Sequence, residues 1–371
     1  VRRLHAAGLA HSDLSYNNVF ISENQNSFEV WLIDADNIRR QGEVEMAFGT
    51  PECIAPEVAL GTHNTMFSDM YSFALVSYVF LTGQKPFYGK LLLNGIHYDE
   101  ESRLKEEALE DDWDTEEEDD WDTEEEDDWG TDENTQSTDN NSKVDCYQLA
   151  EEGKIPWIDD IENRDNCLEA QGIRKCAISP ELFACFQQTF CYEGRKNPES
   201  RPSPVQWYHA FKQSLNQVTF CQKCGWSYYA SETACPYCDT KRPHLSQAVI
   251  TEYLFSDDIP HTLAMPKEIK AKILIPNEKQ TALYCSDVRP VSFFSVLGKE
   301  ETAFVIAYQP EVKKWIITQE SDFPCKVKIR NGKYQGGSGK YFEAENLEDM
   351  MIVIPSHNNP CRLRRIHFIK V

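Results

Sequence analysis

The stretch His11-Ser12-Asp13-Leu14-Ser15-Tyr16-Asn17-Asn18 decides the fold. Sixteen residues after Asp13 an apolar run, Glu29-Val30-Trp31-Leu32-Ile33, leads into Asp34-Ala35-Asp36. Gly49-Thr50-Pro51-Glu52-Cys53-Ile54-Ala55-Pro56-Glu57 follows. Three polar landmarks in this order and at these spacings form a specific signal. Asp13 and Asn18 place a carboxylate and a side-chain amide on one loop, and Asp34 adds a second carboxylate just past a strand. Each offers a hard oxygen atom, the ligand type that suits Mg²⁺.

Phosphoryl transfer asks for such a set, because it needs positioning and charge neutralisation more than covalent chemistry. One carboxylate orients the attacking hydroxyl, while an amide and a second carboxylate hold the metal. The landmarks resemble the catalytic half of the Hanks-type (eukaryotic-type) serine/threonine protein kinases, whose motifs are H-R-D-x-x-x-x-N, D-F-G and A-P-E. The resemblance implies that Asp13 is the catalytic base, that Asn18 and Asp34 hold Mg²⁺ and ATP, and that Ala55-Pro56-Glu57 is the A-P-E motif. Thr50 matches the residue that bonds the catalytic Asp in serine/threonine kinases. His11, Glu57, Asp69 and Arg201 fall at structural positions. Asp69, in Ser68-Asp69-Met70-Tyr71-Ser72-Phe73, would anchor the catalytic loop, and Arg201 would pair with Glu57. The resemblance covers residues 1–216, apart from one insertion.

The sequence departs from the family at several positions. Ser12 replaces the Arg before the catalytic Asp, and Ser15 replaces the Lys two residues after it. Ala35 and Asp36 replace the Phe and Gly of D-F-G, and a positive φ at position 36 would be unfavourable for Asp. The chain opens inside a helix of the fold it resembles, with no Gly-rich loop or strand Lys before Val1. The expectation is therefore an N-lobe absent from this sequence and a fragment of a longer protein. The other expectation is a half-kinase unable to hold ATP in the family manner.

Composition narrows the class further. The net charge of −24 is concentrated: residues 99–133 hold 22 Asp and Glu against 2 Lys and Arg. The remainder is near neutral, which argues against a nucleic-acid binder. No run of 18 apolar residues occurs, so no membrane span is expected. Thirteen cysteines, an odd number and mostly scattered, point to reduced thiols and a cytoplasmic location.

In chain order, residues 19–33 read as a β-hairpin turning at Asn24–Ser27. Tyr71–Leu81 reads as a buried core helix. An acidic low-complexity insertion occupies 99–142, with Asp111-Asp112-Trp113-Asp114-Thr115-Glu116-Glu117-Glu118 repeated directly from Asp119. Dense like charges keep such a segment extended. The favoured reading is a solvated, disordered surface insertion; the alternative, which only the regular Trp residues favour, is a segment that mimics an acidic substrate or binds a basic protein as partner. The lobe pattern resumes at Cys146-Tyr147-Gln148-Leu149, and Leu182, Phe183, Cys185, Phe186 and Phe190 have the spacing of core helices.

Cys221, Cys224, Cys235 and Cys238 form a C-x₂-C…C-x₂-C pair, the spacing of a closed Zn²⁺ site. Residues 217–242 are read as a structural zinc ribbon, with few cations nearby. Residues 245–371 are read as an all-β domain, a small sandwich or barrel. Five alternating runs carry that reading: Phe304–Tyr308, Trp315–Thr318, Val327–Arg330, Met351–Ile354 and Ile366–Ile369. Turns are expected at Asn331-Gly332 and Gly336-Gly337. This domain is faintly similar to forkhead-associated domains, without their phosphopeptide-binding Arg and Ser in a recognisable motif. Gly336-Gly337-Ser338-Gly339-Lys340 fails as a phosphate loop, because position 334 is Tyr and Tyr341 follows the Lys. His367 reads as a packed strand residue.

The expected whole is an α+β chain: a mainly helical kinase-like C-lobe, then a zinc ribbon, then the β domain. Its expected function is transfer of the γ-phosphate of ATP to a Ser or Thr of a protein substrate. The alternative is a pseudokinase scaffold that assembles partners through the lobe, the acidic repeat and the ribbon. Thr50 is the only Ser or Thr in residues 34–57. With Ser12 in place of the Arg that would receive a phosphate, activation by phosphorylation of this segment is not expected. Mass spectrometry of the protein isolated from cells should find Thr50 unmodified.

Overall fold

The computed structural model describes residues 1–24, 27–41, 49–93, 146–168, 172–254, 266–277, 280–289, 301–329, 335–336, 341–356 and 361–371. The acidic repeat, the Asn331-Gly332 turn and Gly337–Lys340 lie outside the described residues, as does the centre of the hairpin turn expected at 24–27.

The first part of the chain is mainly helical around one aromatic core. Short α1 (Arg2–Ala6) leads to β1 (Leu9–Ala10), which pairs antiparallel with β4 (Arg39–Arg40). Between them β2 (Val19–Asn24) and β3 (Ser27–Leu32) form the expected hairpin, with Val19 opposite Leu32. Helices follow at α2 (Pro56–Ala59), α3 (Met66–Thr82), α4 (Lys90–Leu93), α5 (Cys146–Glu151), α6 (Gly172–Ala177), α7 (Pro180–Phe190), α8 (Tyr192–Lys196) and α9 (Pro204–Leu215).

Helix α3 sits at the centre because its sequence is apolar on nearly every side and its ends are fixed. Thr65 caps the first turn: its hydroxyl accepts from the Ser68 amide at 3.2 Å, and the Ser68 hydroxyl accepts from the Thr65 amide at 2.7 Å. Gly83 at φ 67° ends the helix in the left-handed conformation that glycine tolerates. Helices α7 and α9 each start with a Ser cap followed by Pro, which has no N–H to leave unpaired.

Tyr71, Tyr78, Phe87, Trp157, Phe186, Phe190 and Trp207 fill the space between these helices. Their rings meet mostly edge to face, as at Tyr78–Phe186 with centroids 5.1 Å apart. The Tyr78 hydroxyl donates to Asp159 at 2.7 Å, and the Arg174 side chain approaches the same carboxylate at 3.1 Å.

Two short strands, β5 (Val218–Phe220) and β6 (Ser227–Tyr229), flank the first cysteine pair, and the second pair follows β6. The remainder is two antiparallel sheets. The six-stranded sheet runs β13 (Gln335–Gly336), β12 (Lys326–Ile329), β15 (Met350–Pro355), β16 (Arg362–Lys370), β7 (Ser246–Leu254), β8 (Pro266–Ile275). The four-stranded sheet runs β14 (Tyr341–Ala344), β11 (Lys314–Gln319), β10 (Thr302–Gln309), β9 (Thr281–Tyr284), with the one-turn α10 (Cys285–Val288) after β9.

One core drawn from both sheets joins Ile250, Ile352 and Ile366 to Phe304, Ile317 and Phe342. Among the described residues the arrangement is thus a sandwich, not a closed barrel. Gly336, expected in a turn, instead lies in β13 opposite Lys326. His367 lies on β16 opposite Met351, and burial pulls its pKa down.

Glu57 and Arg201 are 144 residues apart and form a two-pronged ion pair, both contacts at 2.7 Å, with the Arg201 side chain fully buried. Removing one partner strands the other charge. Arg201→Ala should therefore destabilise the helical part by about 3 kcal/mol. Urea unfolding followed at the helical circular-dichroism band would measure this.

Candidate active site and cysteine cluster

Asp13 is held on both carboxylate oxygens. The Thr50 amide and hydroxyl donate to Oδ1 at 2.9 and 2.8 Å. The Asn18 side-chain amide donates to Oδ2 at 2.8 Å and to the Asp13 carbonyl at 2.9 Å. Asn18 therefore presents its Oδ1 away from these bonds, and that oxygen accepts no hydrogen bond among the described residues. Thr50, 37 residues away in sequence, and Asn18, on the same loop, thus both bond directly to Asp13.

The loop itself is pinned from below. Asp69, on the first turn of α3 and only 2% exposed, accepts from the His11 amide at 2.7 Å and the Ser12 amide at 3.0 Å. His5 reaches the same carboxylate at 2.9 Å. The Asn64 side chain donates to the Ser12 carbonyl at 2.7 Å. These bonds hold Ser12 at φ 67°, a left-handed conformation that costs energy for a residue with a side chain. His11 Nε2 lies 3.1 Å from the Ile33 carbonyl. A carbonyl only accepts, so Nε2 carries the proton there. That bond ties the loop to the residue just before Asp34.

Asp34 is exposed, and it too lies in the left-handed region at φ 63°. The positive φ anticipated at Asp36 falls on Asp34 instead, and Asp36 sits inside a right-handed 3₁₀ turn, Ala35–Asn37. The Asn37 side chain donates to Asp34 Oδ2 at 2.6 Å. Cys53, buried beside Tyr16, has its thiol pushed up by burial, so it is a poor nucleophile.

His5, Asn37 and Asn64 belong to this network but were not singled out from sequence. Asn37 had a local signal, since Asx side chains commonly bond back to residues three away. His5 and Asn64 had none.

The four sulfurs of Cys221, Cys224, Cys235 and Cys238 all lie within 4.8 Å of one another. Cys221 and Cys238 are 3.5 Å apart, and Cys224 and Cys235 are 3.6 Å apart. Sulfurs around a tetrahedral Zn²⁺ at about 2.3 Å would be separated by about 3.8 Å. The two knuckles repeat one geometry. The Gly225 amide donates to the Cys221 carbonyl at 2.8 Å, and the Asp239 amide donates to the Cys235 carbonyl at 2.9 Å. Gly225 and Asp239 both have positive φ, at 74° and 56°. Hydrogen bonding with Thr240 lowers the pKa of the Cys238 thiol, whereas that of Cys224 in the same cluster is raised, by burial and by the sulfurs around it.

A carboxylate fixed on a pinned loop, with an amide oxygen and a second carboxylate close along the chain, can orient a hydroxyl and hold a divalent cation. Comparison with known proteins agrees with that chemistry. The family model described as "Protein kinase domain" matches residues 1–206, and the chain belongs to this family, with the Hanks-type kinases.

Among curated relatives, serine/threonine-protein kinase pkn2 of Myxococcus xanthus is 34% identical over 99 residues, covering 24% of this chain and 12% of that protein. Myosin light chain kinase A of Dictyostelium discoideum is 34% identical over 89 residues, covering 23% of this chain and 30% of that protein. Smooth-muscle myosin light chain kinase of Gallus gallus is 34% identical over 92 residues, covering 24% of this chain and 5% of that protein. The matched stretches thus span less than a third of each relative's length. Among the described residues, no helix is long and apolar enough to cross a membrane.

Replacing Asp69 by Asn should loosen the loop without removing Asp13. Hydrogen bonds to a charged acceptor contribute about 1.5–3 kcal/mol. Amide hydrogen exchange at His11 and Ser12 should accelerate by about tenfold or more.

Proposed function

We propose that this chain carries the catalytic half of a protein serine/threonine kinase and that the intact protein transfers the γ-phosphate of ATP to a protein Ser or Thr. The observation that carries this reading is Asp13, held by Thr50 and Asn18 on a loop pinned by Asp69. Asp13 orients the acceptor hydroxyl and receives its hydrogen bond. The Thr50 hydroxyl keeps Oδ1 in register and supports Ser or Thr as acceptor class.

Asn18 through Oδ1, and Asp34 through its carboxylate, would hold Mg²⁺. The fit rests on hard oxygen donors, one of them without a protein partner among the described residues. Mg·ATP would supply the phosphoryl group and screen its charge. Asn37 keeps the Asp34 carboxylate oriented. On the hairpin Phe20 lies across from Trp31 and Ile21 across from Val30, so both of its faces expose apolar side chains, a kind of surface that another segment covers.

The Cys221, Cys224, Cys235 and Cys238 cluster would hold a structural Zn²⁺, since four closed thiolates leave no open coordination position. For the acidic repeat we keep a basic protein as the proposed partner, supported by its charge alone, and for the protein a cytoplasmic location, supported by its scattered thiols. Co-purification of basic proteins with the full protein, lost on deleting 99–142, tests the first; imaging of a tagged copy tests the second. The scaffold alternative gains no specific support. Ser12, Ser15 and Ala35 alter the motifs, but Asp13, Asn18 and Asp34 remain.

In the intact protein, Asp34→Ala should abolish Mg·ATP-dependent phosphorylation, and Asp13→Asn should lower kcat by about 10²–10⁴-fold. Full transfer activity in the Asp34→Ala protein would overturn the kinase reading. Elemental analysis should find one zinc per chain, lost in Cys221→Ser.

A further inference from the structure

The ribbon has almost no core of its own. Among the described residues its own buried cluster is Cys221, Tyr228 and Cys235, with Cys238 packed against them, while its buried Ala230 packs outward. The proposed metal ligands are thus most of what holds it together. Units this small need a staple to stay folded.

This weakly cored element nevertheless touches both of its neighbours. The Tyr229 hydroxyl donates to the Ala177 carbonyl of the helical part at 3.1 Å. Ala230 packs with Leu245 and with Leu274 of β8 in a small buried cluster. The Arg242 guanidinium donates to the Val371 carbonyl, just past β16, at 3.1 Å.

All three parts meet at Gln217, whose amide donates to the Ser214 carbonyl of α9 at 3.0 Å. The Gln217 carbonyl accepts from the Ala230 amide at 2.9 Å. Its side-chain nitrogen donates to the Lys272 carbonyl at 2.5 Å, and its side-chain oxygen accepts from Gln247 at 2.9 Å. Next to it the Leu274 amide donates to the Asn216 carbonyl at 3.0 Å.

We propose that the ribbon is a metal-dependent clasp that docks the β-sandwich against the kinase lobe, with Gln217 as the residue where lobe, ribbon and sandwich are joined. The proposal rests on the reading of the four cysteines as a zinc site. Metal binding and ribbon folding are one equilibrium in so small a unit. Losing the metal releases Tyr229, Ala230 and Arg242 together. The cluster around Leu274 then opens to water. The lobe and the sandwich have separate large cores, so neither unfolds with the ribbon. A second tie outside the ribbon, Lys212 to Asp287 at 3.0 Å and to Ser286 at 2.8 Å, limits how far the two parts separate.

Hydrogen exchange on the full chain tests this, with the zinc content measured on the same samples. Chelation should raise exchange at the Ala230 and Leu274 amides by about tenfold or more. Amides in α3 and in β10 and β11 should keep their protection. Gln217→Ala should retain one zinc and normal exchange at Gly225 and Asp239, yet exchange faster at Leu274.

Unchanged protection at Leu274 after chelation would overturn the clasp while leaving the zinc site standing. Loss of protection in α3 and β10 as well would overturn it in favour of a global requirement for metal. A zinc-free protein with Ala230 and Leu274 protected would overturn both the clasp and the zinc reading.

Discussion

The buried carboxylate of Asp69 is the constraint on which the site depends. A lone carboxylate at 2% exposure would be costly to bury. Here it accepts two backbone amides and faces His5, and hydrogen bonds to a charged acceptor are among the stronger ones in proteins. Its position on the first turn of α3 adds the favourable end of the helix dipole. Because α3 is capped at both ends and buried around Asp69, that carboxylate is held in place. The loop that carries Asp13 inherits that rigidity, and a positioned carboxylate is what phosphoryl transfer requires of the protein.

This anchoring explains why substitutions within the loop need not move it. Ser12 stands where relatives of this fold carry Arg, and Ser15 where they carry Lys. The structure uses both positions through the backbone. The Ser12 amide goes to Asp69, its carbonyl accepts from Asn64, and the Ser15 carbonyl accepts from the Asn18 amide at 3.1 Å. The altered side chains change the charge available near Asp13, while the bonds that hold the loop at these two positions are made by the backbone. In the same way Asp36 is accommodated because the left-handed residue is Asp34, with Asn37 closing the turn.

The parts of the molecule differed in how plainly the sequence announced them. Asp13, Asn18 and Thr50 could be read because a local motif fixes each one. The helix around Tyr71–Leu81 could be read because its residues are almost uniformly apolar, although its capped start at Thr65 lies outside that run. Strands β10, β11, β15 and β16 alternate, with one side in the core, so period two reveals them. Strand β7 does not: Ser246–Glu252 are buried throughout, which removes the wet face that creates alternation. Its partner β8 opens with an exposed charged run and reaches the core only from Ala271 onward. His5, Asn64 and Gln217 act through partners distant in the chain or through the backbone, and no local pattern marks such residues.

The cysteine pairs show the opposite relation between sequence and structure. Their spacing was the clearest local signal in the second half of the chain, and it described a unit with hardly any core. A lobe of aromatic rings and a sandwich of aliphatic strands each bury a large apolar core of their own. The ribbon between them does not, so its order must come from ligands or from its neighbours. Both are present in the geometry: four sulfurs converge on one point, and Tyr229, Ala230 and Arg242 reach outward to the two larger parts. An element stabilised in this way has a folding equilibrium that depends on its surroundings. The physical consequence is that chemistry at four sulfur atoms can alter how two otherwise independent cores are held together.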